Sequence, residues 1–322
     1  MNAKAVIEGI LKEKGTVKQV YWVACGGSLI DLYPAHFMLN AESATVESGW
    51  YTSKEFVLST PKKLGKDSMV VVCSHSGNTQ EAVDAAILAK EAGAAVITLT
   101  DGKGSKCDDE RFIAWVYPWG EGVPTAEVPS GITLLLAAEL LKAQEGFDKY
   151  DALCDGIQKM DGIVAAAKTK VNAELGDAFA KACQENSFFY ILGSGATFSQ
   201  TYGFAICSLM EMQWQNCAYI HSGEYFHGPF EVTENGVFYF LQMGSGACRP
   251  MDERALAFLK THTDRLMVLD ALDHGMDAVD AGVRDYLDSV LFYAMNVELR
   301  AARGRVFDHS PDIRRYMGIE TY

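Results

Sequence analysis

The chain has 322 residues, 49% hydrophobic and 22% charged, a composition that excludes disorder and allows one large domain or two ordinary ones with a sizeable core. Acidic residues outnumber Lys and Arg by 42 to 28, and the formal charge of −14 argues against a nucleic-acid partner, which needs a concentrated basic surface. No apolar run approaches the ~18 residues of a membrane span, Met1 to Gly9 lacks the apolar core of a signal peptide, and the 8 cysteines are scattered with no Cys-x-x-Cys or zinc-like spacing, which suits free thiols in a reducing cytoplasm.

In chain order, Gln19–Cys25 is rich in β-formers and ends at Gly26-Gly27-Ser28. Met69–Cys73 is a short apolar run that stops abruptly at Ser74-His75-Ser76-Gly77-Asn78-Thr79. Ala95–Thr100 follows a helical stretch ending at Gly93, then come Phe112–Tyr117 and a strong helix over Ile132–Lys142. Short continuous apolar runs alternating with helices predict a parallel sheet covered on both faces. Asp148–Glu185 is polar, alanine-rich and helical in pattern, and the domain boundary belongs there.

The second half repeats the plan. Ser187–Leu192 ends at Gly193-Ser194-Gly195-Ala196-Thr197, and an apolar helix runs from there to about Trp214. Strands are predicted at Ala218–His221, Val237–Gln242 and Leu266–Leu269, with Ser289–Leu299 mixed strand-like and helical. The two strand-then-glycine-hydroxyl loops, at 25–28 and 193–197, suggest internal duplication. The expectation is an α/β protein of two tandem, doubly wound, parallel-sheet domains of the flavodoxin-like kind, covering 1–155 and 156–322.

In open parallel sheets, ligands bind where strands end and helices begin. A helix N-terminus offers unpaired N–H groups and partial positive charge, so it holds phosphate without lysine. Ser74, Ser76 and Thr79 add hydroxyls at such a place, and Gly77 permits close approach. No nucleotide-binding glycine signature is present. A plain helix cap by Ser74 or Thr79 is the competing reading.

These segments resemble the sugar isomerase (SIS) domain proteins, which bind phosphosugars. The resemblance rests on Cys25-Gly26-Gly27-Ser28, on Ser74 to Thr79, and above all on Ser222-Gly-Glu-Tyr-Phe-His-Gly-Pro229, which is similar to an element in the isomerase half of glucosamine-6-phosphate synthase. The tail from Ser310 to Tyr322 looks like that of the fructosamine-6-phosphate deglycases. The resemblance implies phosphate contacts from Ser74, Ser76 and Thr79, with His75 helping through its backbone, Asn78 in the same loop, and Gly27 and Ser28 from the neighbouring loop. It implies a proton-transfer glutamate sixteen residues before the motif histidine, which places Glu211 with His227 as the catalytic pair. Glu224 belongs to the motif and is expected near substrate, in an organising role.

The synthase's C-terminal lysine is missing from the tail, which reads Arg314-Arg315-Tyr316-Met317, and with Asn at position 2 and the first strand near residue 19 no counterpart of its glutaminase domain is expected. The implied activity is cytoplasmic deglycation of a phosphorylated amino sugar with no metal or redox cofactor, by a homodimer sharing active sites across subunits. An aminosugar-phosphate isomerase or deaminase, a phosphosugar etherase and a non-catalytic phosphosugar sensor are the alternatives.

Overall fold

The protein is described over residues 1–321 by a computed structural model, and it divides into two compact units, Met1–Gln158 and a second beginning at Lys159. The first runs α1 (Ala3–Lys14), β1 (Gln19–Ala24), α2 (Gly26–Glu42), β2 (Glu47–Thr52), α3 (Ser53–Leu58), β3 (Ser68–Cys73), α4 (Gln80–Glu91), β4 (Ala95–Thr100), β5 (Ile113–Val116) and α5 (Pro129–Gln144). Its sheet is wholly parallel, in the order β2-β1-β3-β4-β5, which is the flavodoxin-like order.

Every residue of β3 and β4 is buried because helices cover both faces. The period-2 alternation of a strand divides the work. Tyr21, Val23, Val70, Val72 and Val96 point to one face and pack with Phe56 of α3 and Ala82, Ala85, Ala86 and Ala89 of α4. The edge strand β2 escaped the sequence reading because Glu47-Ser-Gly-Trp-Tyr-Thr52 has no continuous apolar run and is only half-buried. Its place is held by side-chain bonds, Trp50 Nε1 to the Leu29 carbonyl at 2.9 Å and Trp22 Nε1 to Ser48 Oγ at 3.0 Å.

Helix α6 (Tyr150–Val171) carries the break between the units, and a π turn at Asn172–Gly176 leads into α7 (Asp177–Glu185). The second unit continues with β6 (Phe188–Gly193), α8 (Phe198–Gly203), a π-helical stretch Phe204–Glu211, β7 (Asn216–His221), β8 (Tyr239–Met243), α9 (Arg249–His262), β9 (Leu266–Asp270) and α10 (Asp285–Phe307). Its four strands are parallel in the order β7-β6-β8-β9, so β6 and β8 are central, as β1 and β3 are in the first unit. Ser289–Leu299, expected as mixed, is wholly helical: Leu287, Leu291, Phe292, Met295 and Leu299 recur at three- and four-residue spacing and bury one stripe. The local run of β-formers at 290–293 yields to that periodicity.

Candidate active site

In the first unit, strand order reverses at β1 and β3, so the loops after them diverge and leave a crevice at the carboxyl edge. Helices α2 and α4 begin there side by side, with Cys25 Sγ 3.7 Å from Glu81 Oε2. Thr79 occupies the N-cap position of α4 yet makes no capping hydrogen bond, and Cys25 makes none at α2. Instead Ser74 Oγ donates to Thr79 Oγ1 at 3.1 Å. The leading N–H groups of both helices are therefore closed by no side-chain cap, and they retain the capacity to take an anion.

The loop is held in shape from behind. Gly77 has φ +67°, and a Cβ there would stand 1.9 Å from Ser105 Oγ, so both conformation and space require glycine. Asn78 donates from Nδ2 to the Ser76 carbonyl and accepts at Oδ1 from the Lys106 amide. The ring of His75 turns outward, with Nδ1 3.1 Å from the Tyr117 hydroxyl and Nε2 3.9 Å from Asp101, while its carbonyl accepts from Thr100 Oγ1 and the Asp101 amide. Gly27 is exposed and Ser28 half-buried. Ser28 and Tyr117 hydrogen-bond the Cys73 thiol, whose pKa burial pushes up. One turn beyond Ser28, Asp31 is raised to about 7 by burial. Sequence reading passed over it because a single aspartate in a helix carries no signal.

In the second unit, Glu211 is the last residue of the π-helical stretch, and its side chain is 24% exposed. Its Oε1 accepts from Arg314 Nη2 at 2.9 Å. The turn that follows is tightly bound. Arg300 reaches Met212 Sδ, Arg303 donates to Gln213 Oε1 and Gln215 Oε1, and the Gln215 amide returns to the Leu209 carbonyl. Trp214 takes the left-handed region, φ 52°, which a bulky residue adopts only when its surroundings impose it. His309 meets its ring edge-on at 4.5 Å, and the Arg315 guanidinium lies 3.9 Å over it.

Strand β7 separates Glu211 from the other motif. Glu211 precedes the start of β7, while Ser222 to Pro229 follows its end. Six residues of strand span about 17 Å, and among the described residues no hydrogen bond joins Glu211 to His227. The motif loop is anchored by Tyr225, fully buried, whose hydroxyl pairs with Thr233, and by the Phe226 ring beneath Arg254 at 4.0 Å. These anchors leave Glu224 and His227 exposed on the loop. His221 is turned in: its Nδ1 accepts from the Gly223 amide, and burial lowers its pKa against the opposing pull of Glu224.

The crevice between β6 and β8 is already filled from within. Asp288, reaching in from α10, accepts from the Ser245 amide (2.7 Å), Ser245 Oγ (2.6 Å) and Thr197 Oγ1 (3.3 Å). Asp252 accepts from the Gly244 amide at 3.1 Å. A Cβ at Gly246 would stand 2.1 Å from Asp285 Cβ, so glycine admits that acid to the same place. The space left is about 10 Å³, no more than one water. Burial raises Asp288 to about 7 and pushes Asp252 up as well.

Comparison with known proteins shows what the chain is similar to. The SIS domain family matches residues 50–138. Fructosamine deglycase FrlB of Bacillus subtilis (strain 168) is 35% identical over 305 residues, covering 94% of this chain and 92% of that protein. Fructoselysine 6-phosphate deglycase of Escherichia coli (strain K12) is 25% identical over 321 residues, covering 98% of this chain and 89% of that one. Among solved structures, a candidate phosphosugar isomerase of Salmonella typhimurium LT2 superposes with a TM-score of 0.95 at 36% identity, covering 100% of this chain and 96% of that one.

Proposed function

From the premise that this chain belongs to the fructosamine deglycase family of SIS-domain enzymes, we propose that it cleaves a 6-phosphorylated fructosamine into glucose 6-phosphate and a free amine. It is a phosphosugar-processing deglycase; the substrate, the residue roles and the assembly that follow are the proposed part. The observation that carries the phosphosugar reading is the unclosed start of α4, with Thr79 at the cap position making no cap bond.

In this reading Ser74, Ser76 and Thr79, with the N–H groups of the His75–Thr79 loop, hold the 6-phosphate, while Gly27 and Ser28 line the neighbouring loop. Fixing the phosphate fixes the distance to C1 and C2. His227 assists opening of the sugar ring as acid and base. Glu211 removes a proton from C1 of the ketoamine, giving an enaminol, and delivers a proton to C2, giving the imine of an aldose. Water adds to that imine, and its breakdown releases the amine and leaves the aldehyde of glucose 6-phosphate. Proton transfers of this type each contribute about 10²- to 10⁴-fold. Glu224 organises the loop that carries His227.

The placement of β7 bears on the assembly. Roughly 17 Å of strand between the two motifs supports the reading that His227 reaches the substrate from a second copy of the chain. In this reading the protein is a homodimer with shared sites. Mixing inactive Glu211→Gln and His227→Ala proteins after dissociation is expected to restore activity in hybrids; failure to do so would argue for sites within one chain.

The substrate is tested directly. Fructosamine 6-phosphates, their unphosphorylated forms and glucosamine 6-phosphate are each incubated with the protein, and glucose 6-phosphate and free amine are measured. Stoichiometric release from the phosphorylated fructosamines alone is expected. Turnover of glucosamine 6-phosphate in their place would select the deaminase reading, and turnover of none would select the sensor.

A further inference from the structure

Each unit holds an aspartate beside its crevice that burial raises to about 7, Asp31 in the first and Asp288 in the second. Their surroundings differ. Asp288 is sealed in the closed crevice and accepts three hydrogen bonds from Ser245 and Thr197. Among the described residues the Asp31 carboxyl makes no hydrogen bond and no ion pair, and burial alone shifts it. The hydroxyls nearest to it, on Ser28 and Tyr117, are turned to the Cys73 thiol instead. A carboxyl drawn out of water with no partner costs stability. Groups of this kind concentrate where a ligand supplies the partner.

The position of Asp31 fits a ligand contact. Asp31 is half-buried, so solvent still reaches it, and a raised pKa in a group that solvent reaches marks the wall of a deep crevice. It follows Ser28 by three residues on α2, which sets the two on one face of the helix. Helix side chains lean back over the preceding turn, so the carboxyl is directed toward the level of Ser28. Burial pushes up the Cys73 thiol and the Tyr117 phenol, and the Asp31 charge adds to both. Tyr117 also stands 3.1 Å from His75 Nδ1, so an unbroken group of side chains joins the acid to the Ser74–Thr79 loop. On the other side Thr133 of α5 donates to the Asp31 carbonyl at 3.3 Å, fixing this turn of α2 without engaging the carboxyl.

The chemistry of the substrate indicates what the acid meets. The phosphate is served by the loop hydroxyls and helix-start N–H groups, and a carboxylate would repel it. Sugar hydroxyls suit the acid better. A carboxyl that titrates near neutrality donates in one form and accepts in the other, and a hydroxyl can answer both. The hydroxyl-bearing carbons beside C6 lie only a few bonds from the phosphate, as Asp31 lies one turn of helix from Ser28.

We propose that Asp31 is a sugar-binding residue of the first crevice, its carboxyl hydrogen-bonding a hydroxyl on the carbons next to the phosphate ester. The proposal rests on the phosphosugar reading above and adds to it a contact with the sugar itself, made outside the phosphate loop.

The test compares glucose 6-phosphate with inorganic phosphate, whose binding to the native chain, Asp31→Ala and Asp31→Asn is measured by calorimetry at pH 7.5. Asp31→Ala is expected to weaken glucose 6-phosphate by about 10- to 100-fold, the range of a charge-assisted hydrogen bond, and to leave inorganic phosphate unchanged. Asp31→Asn, which keeps the shape and one acceptor, lies between. Its denaturation midpoint is expected to be no lower than that of the native chain, because no hydrogen bond within the protein is lost. Unchanged glucose 6-phosphate binding in Asp31→Ala overturns the proposal. Equal weakening of both ligands also overturns it and moves the acid to the phosphate, and a lowered midpoint in Asp31→Asn overturns it in favour of a structural role. A native chain that binds glucose 6-phosphate in the expected pattern yet releases none from fructosamine 6-phosphates overturns the deglycase reading and leaves the Asp31 contact standing.

Discussion

The two units build the same crevice and finish it in opposite ways. In the first, Ser76 and Thr79 are exposed at the end of β3, buried Ser74 donates to Thr79, and the starts of α2 and α4 carry no side-chain cap. In the second, Asp288 supplies from within the oxygens that a bound anion would bring, taking the Ser245 amide, the Ser245 hydroxyl and the Thr197 hydroxyl, while Asp252 takes the Gly244 amide. A parallel sheet makes an anion-accepting edge by construction. Whether that edge binds a ligand depends on whether the chain has already satisfied it. In the proposed mechanism the second unit, with its crevice closed, contributes instead the carboxylate and histidine at the two ends of β7.

If the division of labour holds, the largest effect comes from the chemistry assigned to the second unit. Glu211→Gln should lower kcat by at least about 10²-fold while phosphosugar binding survives. Near-native turnover with binding intact would remove Glu211 from the mechanism. Next comes the first crevice. Ser74→Ala combined with Thr79→Ala removes two hydroxyl donors to a charged group, and KM should rise by roughly 10- to 100-fold with kcat little changed. Competitive inhibition by inorganic phosphate should weaken in parallel, and an unaltered inhibition constant would move the phosphate site elsewhere.

The smallest effect belongs to stability. The Asp288 carboxyl lies at about 7 in the folded chain, against 3.8 for an exposed one. The folded state therefore holds a proton that the unfolded state has lost in the window between those values. Stability from this group is full below about pH 4 and declines as pH rises through 7. Asp288→Asn should abolish that component. Denaturation midpoints of the native chain and the variant, compared at pH 4.5 and 7.5, should converge or cross in favour of the variant at the higher pH. A native chain that gains relative to the variant as pH rises would show that Asp288 is a stabilised carboxylate, with its hydrogen bonds outweighing burial.

Much of this protein could be read without coordinates. The apolar runs at Met69–Cys73 and Ala95–Thr100 announce buried parallel strands because both faces of such strands are covered, and the hydroxyl-rich stretch after Cys73 marks a helix start at a sheet edge. Period and composition act over a few residues, and a sequence displays them directly. Other features depend on which distant residues the topology brings together. Asp288 reaches the Ser245 loop from a helix more than forty residues on, and Arg314 meets Glu211 across 103 residues. Glu211 and His227, sixteen residues apart in sequence, lie beyond opposite ends of a strand. Sequence determined the two-sheet architecture and the loop fit for phosphate. Tertiary structure alone decided which crevice is open, which arginine meets Glu211, and that a strand stands between the two motif residues, because each depends on where long-range packing sets an element's end.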